Sequence, residues 1–204
     1  MKIIVVTGGI GSGKSSVCAI MEEYGFPIYQ ADSRVKSLYV SDADLLHSIE
    51  ERFKESFRDE SGKFSAGRLA SRIFSDAQAL QEVEALVFPA LMRDFDFFCS
   101  EVGDKAGFVV FESATVLEKP QFDGFGDLVL LVDAPLEVRK TRACARDAAC
   151  AAEVVARMQK QPLMNAFSEG SPDARVDYVI HNVGTLEDLR KEVESFINNL
   201  NISK

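Results

Sequence analysis

A glycine-rich segment near the N terminus carries the clearest chemical pattern of the chain. Residues 7–16 read TGGIGSGKSS, which fits G-x-x-x-x-G-K-[ST]. Glycines let several backbone N–H groups converge at the start of a helix, whose partial positive charge attracts phosphate. Lys14 would then reach the β- and γ-phosphates of a nucleoside triphosphate, and the Ser15 hydroxyl would ligate Mg²⁺. The predicted binding residues are Gly8, Gly9, Ile10, Gly11, Ser12, Gly13, Lys14, Ser15 and Ser16.

The segments on either side support this interpretation. Lys2 to Val6 is apolar and β-branched without alternation, as expected of a strand buried on both faces of a parallel sheet. Ser15 to Tyr24 has the apolar spacing of a helix. The alternative, a glycine-rich turn with an incidental lysine, does not require a strand before it and a helix after it.

Asp32 follows the second predicted strand, Phe26 to Tyr29, and is a candidate for acid–base chemistry. Strand C-terminal ends line the ligand crevice of a doubly wound sheet, so this carboxylate is expected to face the phosphates. There it would orient an acceptor hydroxyl or accept its proton. The alternative is an N-cap for a helix after Ser33, a position that aspartate also favours.

Three arginines, Arg139, Arg142 and Arg146, are spaced three and four residues apart in a predicted helix. This spacing places them on one helical face. Transfer of a phosphoryl group spreads negative charge over its oxygens, and arginines on a closing lid neutralise such charge. The alternative is a solvated basic face.

Glu112 ends a predicted apolar strand that begins at Phe108. A carboxylate at this edge of the sheet would bind Mg²⁺ through water or hold a substrate hydroxyl. Capping of the next turn is the alternative.

The order of elements predicts an α/β fold with a five-stranded parallel sheet in three layers. Further strands are expected over 128–132 and 178–180, and helices over 136–146, 152–161 and 186–200. The stretch from 33 to about 104 shows helical spacing instead, over 45–57, 69–74 and 77–98, with a break or kink at Phe88-Pro89.

Composition excludes several classes of protein. The formal charge is −9, whereas general nucleic-acid binding needs clustered Lys and Arg. The apolar runs are about five residues long, against the roughly 20 of a membrane-spanning helix. Cys18, Cys99, Cys144 and Cys150 form no C-x-x-C pair, so free thiols in a reducing, cytoplasmic compartment are expected.

The chain resembles the dephospho-coenzyme A kinases nearly end to end. The resemblance rests on residues 7–15, on Ala31-Asp32, on 68–70 and 73–76, on Phe111-Glu112, on Arg142 and Arg146, on Gln161, and on 177–184 with Asn182 and Gly184. It implies transfer of the γ-phosphoryl of ATP to the 3′-hydroxyl of dephospho-CoA. It also implies that Asp32 is the catalytic base, that Gln161 lies on the substrate side, and that Asn182 and Gly184 lie near the adenine.

The sequence departs from that family pattern mainly on the acceptor side. Gln30 replaces the first aspartate of a D-A-D motif, and Phe88 replaces the histidine of a His-Pro pair. Ser65-Ala66 stands in place of Asp-Arg, and Val176 in place of alanine.

The predicted organisation is one P-loop kinase domain of 204 residues. Its core comprises residues 1–32, 105–138 and 176–204, a helical CoA-side insertion covers about 33–104, and a lid covers about 139–165. A monomer or small homo-oligomer, with no nucleic-acid or membrane partner, is expected. Two other functions stay open: another P-loop kinase of a small molecule or nucleoside monophosphate, and a nucleotide-dependent switch, although an N-K-x-D guanine motif is absent.

Overall fold

The structure is a computed structural model that describes residues 1–74, 76–103, 106–147, 151–168, 170, 171 and 173–202. It contains a five-stranded sheet. The strand order is β2-β3-β1-β4-β5. The strands are β1 (Lys2–Gly8), β2 (Ile28–Gln30), β3 (Phe108–Glu112), β4 (Leu128–Asp133) and β5 (Tyr178–His181). β1 pairs in parallel with β3 and β4, and β4 pairs in parallel with β5. The predicted five-stranded α/β sheet is confirmed.

Helices fill the connections between the strands. They are α1 (Lys14–Glu23), α2 (Ala31–Ser41), α3 (Ala43–Phe53), α4 (Ala66–Phe74), α5 (Ala77–Val102), α6 (Leu136–Asp147), α7 (Ala151–Gln159), α8 (Pro162–Ser168) and α9 (Leu186–Ile202). Two short 3₁₀ helices, Val116–Glu118 and Pro120–Phe122, lie between β3 and β4.

Two helical predictions need correction. α3 ends at Phe53 rather than near Phe57, because Lys54 is left-handed at φ 52° and the Phe57 N–H donates to the Glu50 carboxylate at 3.1 Å. Of the break or kink expected at Phe88-Pro89, the break does not occur, because α5 is continuous through Pro89. Proline removes one N–H from the helix ladder, and buried Val87 and Leu91 keep the turns on either side of it packed.

The main hydrophobic core lies between one face of the sheet and the pair α1 and α9. Ile4 and Val6 of β1 belong to the same buried cluster as Met21 of α1 and Val193 and Phe196 of α9. Burial of this apolar surface is the dominant favourable contribution to the stability of the sheet.

Aromatic side chains cover the other face of the sheet. The Phe111 ring of β3 lies 5.6 Å from Phe122 and 4.8 Å from Phe125, centroid to centroid, and 5.4 Å from Tyr29. The connection between β3 and β4 therefore packs on this face.

The chain divides into one unit of residues 1–29 and 104–204 and a second unit of residues 30–103. The second unit is helical and consists of α2 to α5. In it, Arg34 lies 3.7 Å from Asp94, and Arg93 lies 3.8 Å from Asp42, the N-cap of α3.

Within the described ranges, no helix combines the length and the apolar character needed to cross a membrane. Cys18, Cys99 and Cys144 are free thiols. Cys150, Ser75 of the family segment 73–76, and residues 104 and 105 at the expected edge of the insertion lie outside the described residues.

Candidate active site

The phosphate loop, residues 8–15, connects β1 to α1 as predicted. Gly13 is the N-cap of α1 at φ +102°, and Gly11 has φ +77°, a region that glycine occupies without steric cost. The Ser12 N–H donates to the Gly9 carbonyl at 3.1 Å and closes a tight turn. The N-cap glycine has no side chain to cap this end of α1, and no acidic residue lies in the first turn of the helix. The positive end of the helix therefore suits an anionic ligand.

Close packing adds a second reason for the glycines of this loop. A Cβ on Gly8 would collide with the Val132 carbonyl of β4, and a Cβ on Gly11 with the Arg139 carbonyl of α6. On Gly9 it would lie 2.7 Å from the Arg139 guanidinium carbon. The C-terminal end of β4 and the first turns of α6 thus hold the loop by direct contact.

Lys14 folds back over the loop that it follows. Its Nζ donates to the Gly8 carbonyl at 3.0 Å and to the Gly9 carbonyl at 3.4 Å, and lies 3.9 Å from Glu112 Oε1. Glu112 is 8% exposed at the end of β3. The structure therefore brings two predicted site residues together. The Glu112 carboxylate and burial both raise the pKa of the Cys18 thiol behind them, burial being the larger cause.

Asn182, just after β5, supports the second half of the loop. Its Nδ2 donates to the Ser12 carbonyl at 2.8 Å, and a Cβ on Gly13 would collide with the same nitrogen. Asn182 is 6% exposed, and the Arg142 guanidinium donates at 3.4 Å to both its carbonyl and its Oδ1.

A cavity of about 170 Å³ adjoins this contact. It is lined by Gly13, Ser16, Arg142, Asn182, Gly184, Thr185, Leu186 and Leu189. Four residues predicted to bind the nucleotide, and one predicted to be catalytic, therefore surround one space beside the start of α1.

Arg139 is buried rather than solvated, with 3% of its surface exposed. Its Nε makes no hydrogen bond within the described part of the chain, and burial lowers the pKa of its guanidinium. The alternative of a solvated basic face is therefore wrong for this residue. Arg142 is half-buried and Arg146 is exposed, so the three arginines share a helix but not an environment.

Gln161 lies directly on the phosphate loop. Its Oε1 accepts a hydrogen bond from the Ile10 N–H at 2.9 Å, and the residue is 4% exposed. This placement makes it a neighbour of the loop backbone.

Ser15 and Ser16 are exposed in the first turn of α1. Mg²⁺ commonly takes one or two protein ligands together with substrate phosphates, and the exposed Ser15 hydroxyl fits that mode of binding. Across the residues that the structure describes, no group of three or more His, Cys, Asp or Glu side chains is arranged to hold a metal ion.

Asp32 is exposed in the first turn of α2, in the unit of residues 30–103. The N-cap of α2 is Gln30, so the alternative that Asp32 caps a helix after Ser33 is wrong. The helix begins two residues earlier than that alternative required.

Two buried hydroxyl groups lie in the segment of residues 7–16, of which Ser12 is among the predicted binding residues and Thr7 was missed. Thr7 Oγ1 and Ser12 Oγ are fully buried and have no hydrogen-bond partner in the described part of the chain. Both flank the first glycines of the loop, and the only signal was their place in the motif.

A parallel α/β sheet with this loop between β1 and α1 is the P-loop nucleotide-binding fold, and the solved structures with this fold include kinases. Shikimate kinase from Acinetobacter baumannii has the same fold, with a TM-score of 0.53, 14% identity, and coverage of 100% of this chain and 95% of that one. Dephospho-CoA kinase from Campylobacter jejuni has a TM-score of 0.66 at 21% identity, over 97% of this chain and 96% of that one. TT1252 from Thermus thermophilus reaches 0.81 at 30% identity, over 98% and 97%.

Sequence comparison places the chain within this class. The family model described as dephospho-CoA kinase matches residues 2–188. The dephospho-CoA kinase of Chlorobaculum tepidum is 34% identical over 202 residues, or 97% of this chain and 94% of that protein. That of Salinibacter ruber is 32% identical over 94% of each chain. The chain belongs to the dephospho-CoA kinase family.

Proposed function

We propose that this chain transfers the γ-phosphoryl group of ATP to the 3′-hydroxyl of dephospho-CoA, giving CoA and ADP. The observation that carries the proposal is a complete phosphate loop, packed against β4, α6 and Asn182, in a member of the dephospho-CoA kinase family. The loop accounts for the triphosphate, and the family accounts for the acceptor.

The ATP half of the site is assigned to the first unit. The phosphate loop, residues 8–16, and the Lys14 ammonium hold the phosphates, with the Ile10 amide held by Gln161 instead, and Ser15 would ligate Mg²⁺. When bound, Mg²⁺ supplies charge neutralisation at the β- and γ-phosphate oxygens. The cavity beside Gly184 and Asn182 suits the remainder of the nucleotide, since it opens next to the start of α1.

Lys14 has a definite task in this proposal. Its ammonium donates hydrogen bonds to the carbonyls of Gly8 and Gly9. A phosphate oxygen is a stronger acceptor than a neutral carbonyl, so the ammonium exchanges these partners for the triphosphate.

Arginines of α6 provide the positive charge. We assign stabilisation of the transferring phosphoryl to Arg142, with Arg139 and Arg146 contributing further charge. The buried Arg139 guanidinium supports this assignment, because its Nε has no hydrogen-bond partner among the described residues and burial of an incompletely hydrogen-bonded cation is costly.

Asp32 is assigned the acceptor chemistry. The 3′-oxygen of dephospho-CoA attacks the γ-phosphorus as the bond from that phosphorus to the β–γ bridging oxygen breaks, and the hydroxyl proton passes to the Asp32 carboxylate. Glu112 is assigned to the substrate side, whereas Gln161, which was expected there, accepts a hydrogen bond from the Ile10 amide of the phosphate loop. Since Glu112 lies 3.9 Å from Lys14, its carboxylate also orients that ammonium.

The wider context of the proposal is a cytoplasmic enzyme without nucleic-acid or membrane partners, active as a monomer or small homo-oligomer. Three free thiols support a reducing compartment. The proposed organisation is one kinase domain in which residues 33–104 contact the CoA side and residues 139–165 form the lid.

Measuring ADP release from ATP and Mg²⁺, with and without dephospho-CoA, tests the function. We expect acceptor-dependent release that EDTA abolishes and that Lys14→Ala lowers by at least about 100-fold. ATP binding without such release would contradict the acceptor assignment. Because Gln30 and Phe88 depart from the family pattern, other hydroxyl acceptors would then be assayed.

A further inference from the structure

Ile10 differs from its neighbours in the phosphate loop because its side chain has an apolar site of its own. It packs against a small buried cluster of Ala143, Val154 and Met158, separate from the main core. Ala143 belongs to α6 and the other two belong to α7. A side chain from the loop thus completes the hydrophobic contact between two helices of the lid, residues 139–165.

The backbone of Ile10 is held by the same part of the lid. Its N–H donates to Gln161 Oε1 at 2.9 Å. Gln161 follows Met158 by three residues, and its own N–H donates to the Met158 carbonyl at 3.1 Å. One short segment therefore fixes both the side chain and the amide of a single loop residue.

These contacts lie on one half of the loop. Gly9 and Gly11, on either side of Ile10, pack against Arg139. The other half, from Ser12 onward, is held by Asn182. Movement of the lid relative to the first half of the loop would expose more of the partly buried Ile10 side chain and take the Gln161 acceptor away from its part-buried amide.

We propose that Ile10 and Gln161 are positioning residues that couple the lid to the phosphate loop, so that binding of a nucleoside triphosphate fixes the position of α6 and its arginines. This inference rests on the proposed function. Neither residue needs to touch the reacting atoms for this effect, since the contact acts through the backbone of the loop and the packing of α7.

Hydrogen exchange measures the coupling without turnover. A non-hydrolysable ATP analogue should slow exchange of the α6 and α7 amides in the unaltered chain. In Ile10→Ala and in Gln161→Met, the analogue should still bind with a Kd within about threefold, but the slowing should be lost. Because no acceptor is added, this readout stands even if dephospho-CoA is not the acceptor.

Kinetics provide the second readout. Misplaced lid arginines should lower kcat by about 10- to 100-fold while KM for ATP changes little. Gln161→Met removes the acceptor oxygen at similar volume, and the exposed Gln78→Met on α5 is its matched control. Ile10→Val, which keeps a β-branched side chain, should recover most of the slowing that Ile10→Ala loses.

Exchange of the amides of residues 190–200 in α9 serves as the internal standard for folding, because this part of the helix packs on the main core and does not line the cavity beside Asn182. The proposal would be overturned if the analogue still slowed exchange of the α7 amides in both Ile10→Ala and Gln161→Met. A raised KM for ATP with unchanged kcat would also overturn it, as would an unaltered chain whose α6 and α7 exchange does not respond to the analogue.

Discussion

Asn182→Asp changes one atom at the junction between β5 and the phosphate loop. The Asn182 Nδ2 donates to the Ser12 carbonyl at 2.8 Å in a buried position. In the variant an oxygen takes the place of that nitrogen, so two acceptors face each other. The Arg142 guanidinium still finds an acceptor, because it donates to the backbone carbonyl and Oδ1 of residue 182.

The expected loss of ATP affinity follows from the loss of this hydrogen-bond donor. A buried carbonyl left without a hydrogen bond costs about 1 to 3 kcal/mol. In the variant the Ser12 carbonyl regains a partner only if the loop shifts away from residue 182, whereas we expect ATP to bind the loop in its present position. The cost therefore falls on binding, and the affinity for ATP should drop by about 5- to 150-fold. The added negative charge beside the triphosphate acts in the same direction.

Calorimetric titration with ATP and Mg²⁺ is the assay, since the chain has no tryptophan to report binding by fluorescence. Asn198→Asp, an exposed position in α9, is the matched control for the added charge and should bind ATP like the unaltered chain. Urea unfolding checks that both variants fold. An Asn182→Asp protein that binds ATP within about twofold of the control would refute the role of this contact.

Three further substitutions test the remaining roles. Asp32→Asn should lower kcat by about 10² to 10⁴ with ATP binding intact, and unchanged turnover would remove it as the base. Arg142→Ala should lower kcat by at least about 100-fold; an effect on KM for ATP alone would limit the residue to the nucleotide cavity. Hydrogen bonds from Arg175 lower the pKa of Asp173. The contribution of this carboxylate to the stability of the fold is therefore present above about pH 4 and is lost as the pH falls through the depressed pKa. Between pH 5 and pH 3, the free energy of unfolding in urea should therefore fall by about 0.5–1 kcal/mol less for Asp173→Asn than for the unaltered chain. Equal decreases in the two proteins would contradict this.

The sheet was predictable because its strands are short apolar runs that are buried on both faces. β1, β3 and β4 lie where unbroken apolar residues such as Ile4, Val110 and Leu130 indicated them. α2 was missed for the opposite reason. Ala31 and Leu38 are its only buried side chains among the described residues, which leaves too weak a periodicity to recognise a helix.

The sequence was enough to predict which residues of the candidate site carry the chemistry, but not how those residues pack against one another. The motif identifies Lys14 and Ser15 from their spacing alone. Nothing in that spacing shows that Arg139 is buried against Gly9, because the burial of a side chain on α6 depends on where the helix meets the loop. The hydrogen bond from Ile10 to Gln161 joins residues 151 positions apart, and only a family resemblance suggested that this glutamine mattered.

The phosphate loop is one contiguous stretch near the N terminus, yet the residues that hold it in place come much later in the sequence. Val132, Arg139 and Asn182 hold it from β4, α6 and the end of β5. During synthesis the motif emerges first and lacks these contacts until most of the chain has followed, and such long-range contacts form slowly in folding. Affinity for nucleotide is therefore acquired late, when β5 joins the sheet. An incomplete chain contains the motif but lacks the contacts that hold the loop in place.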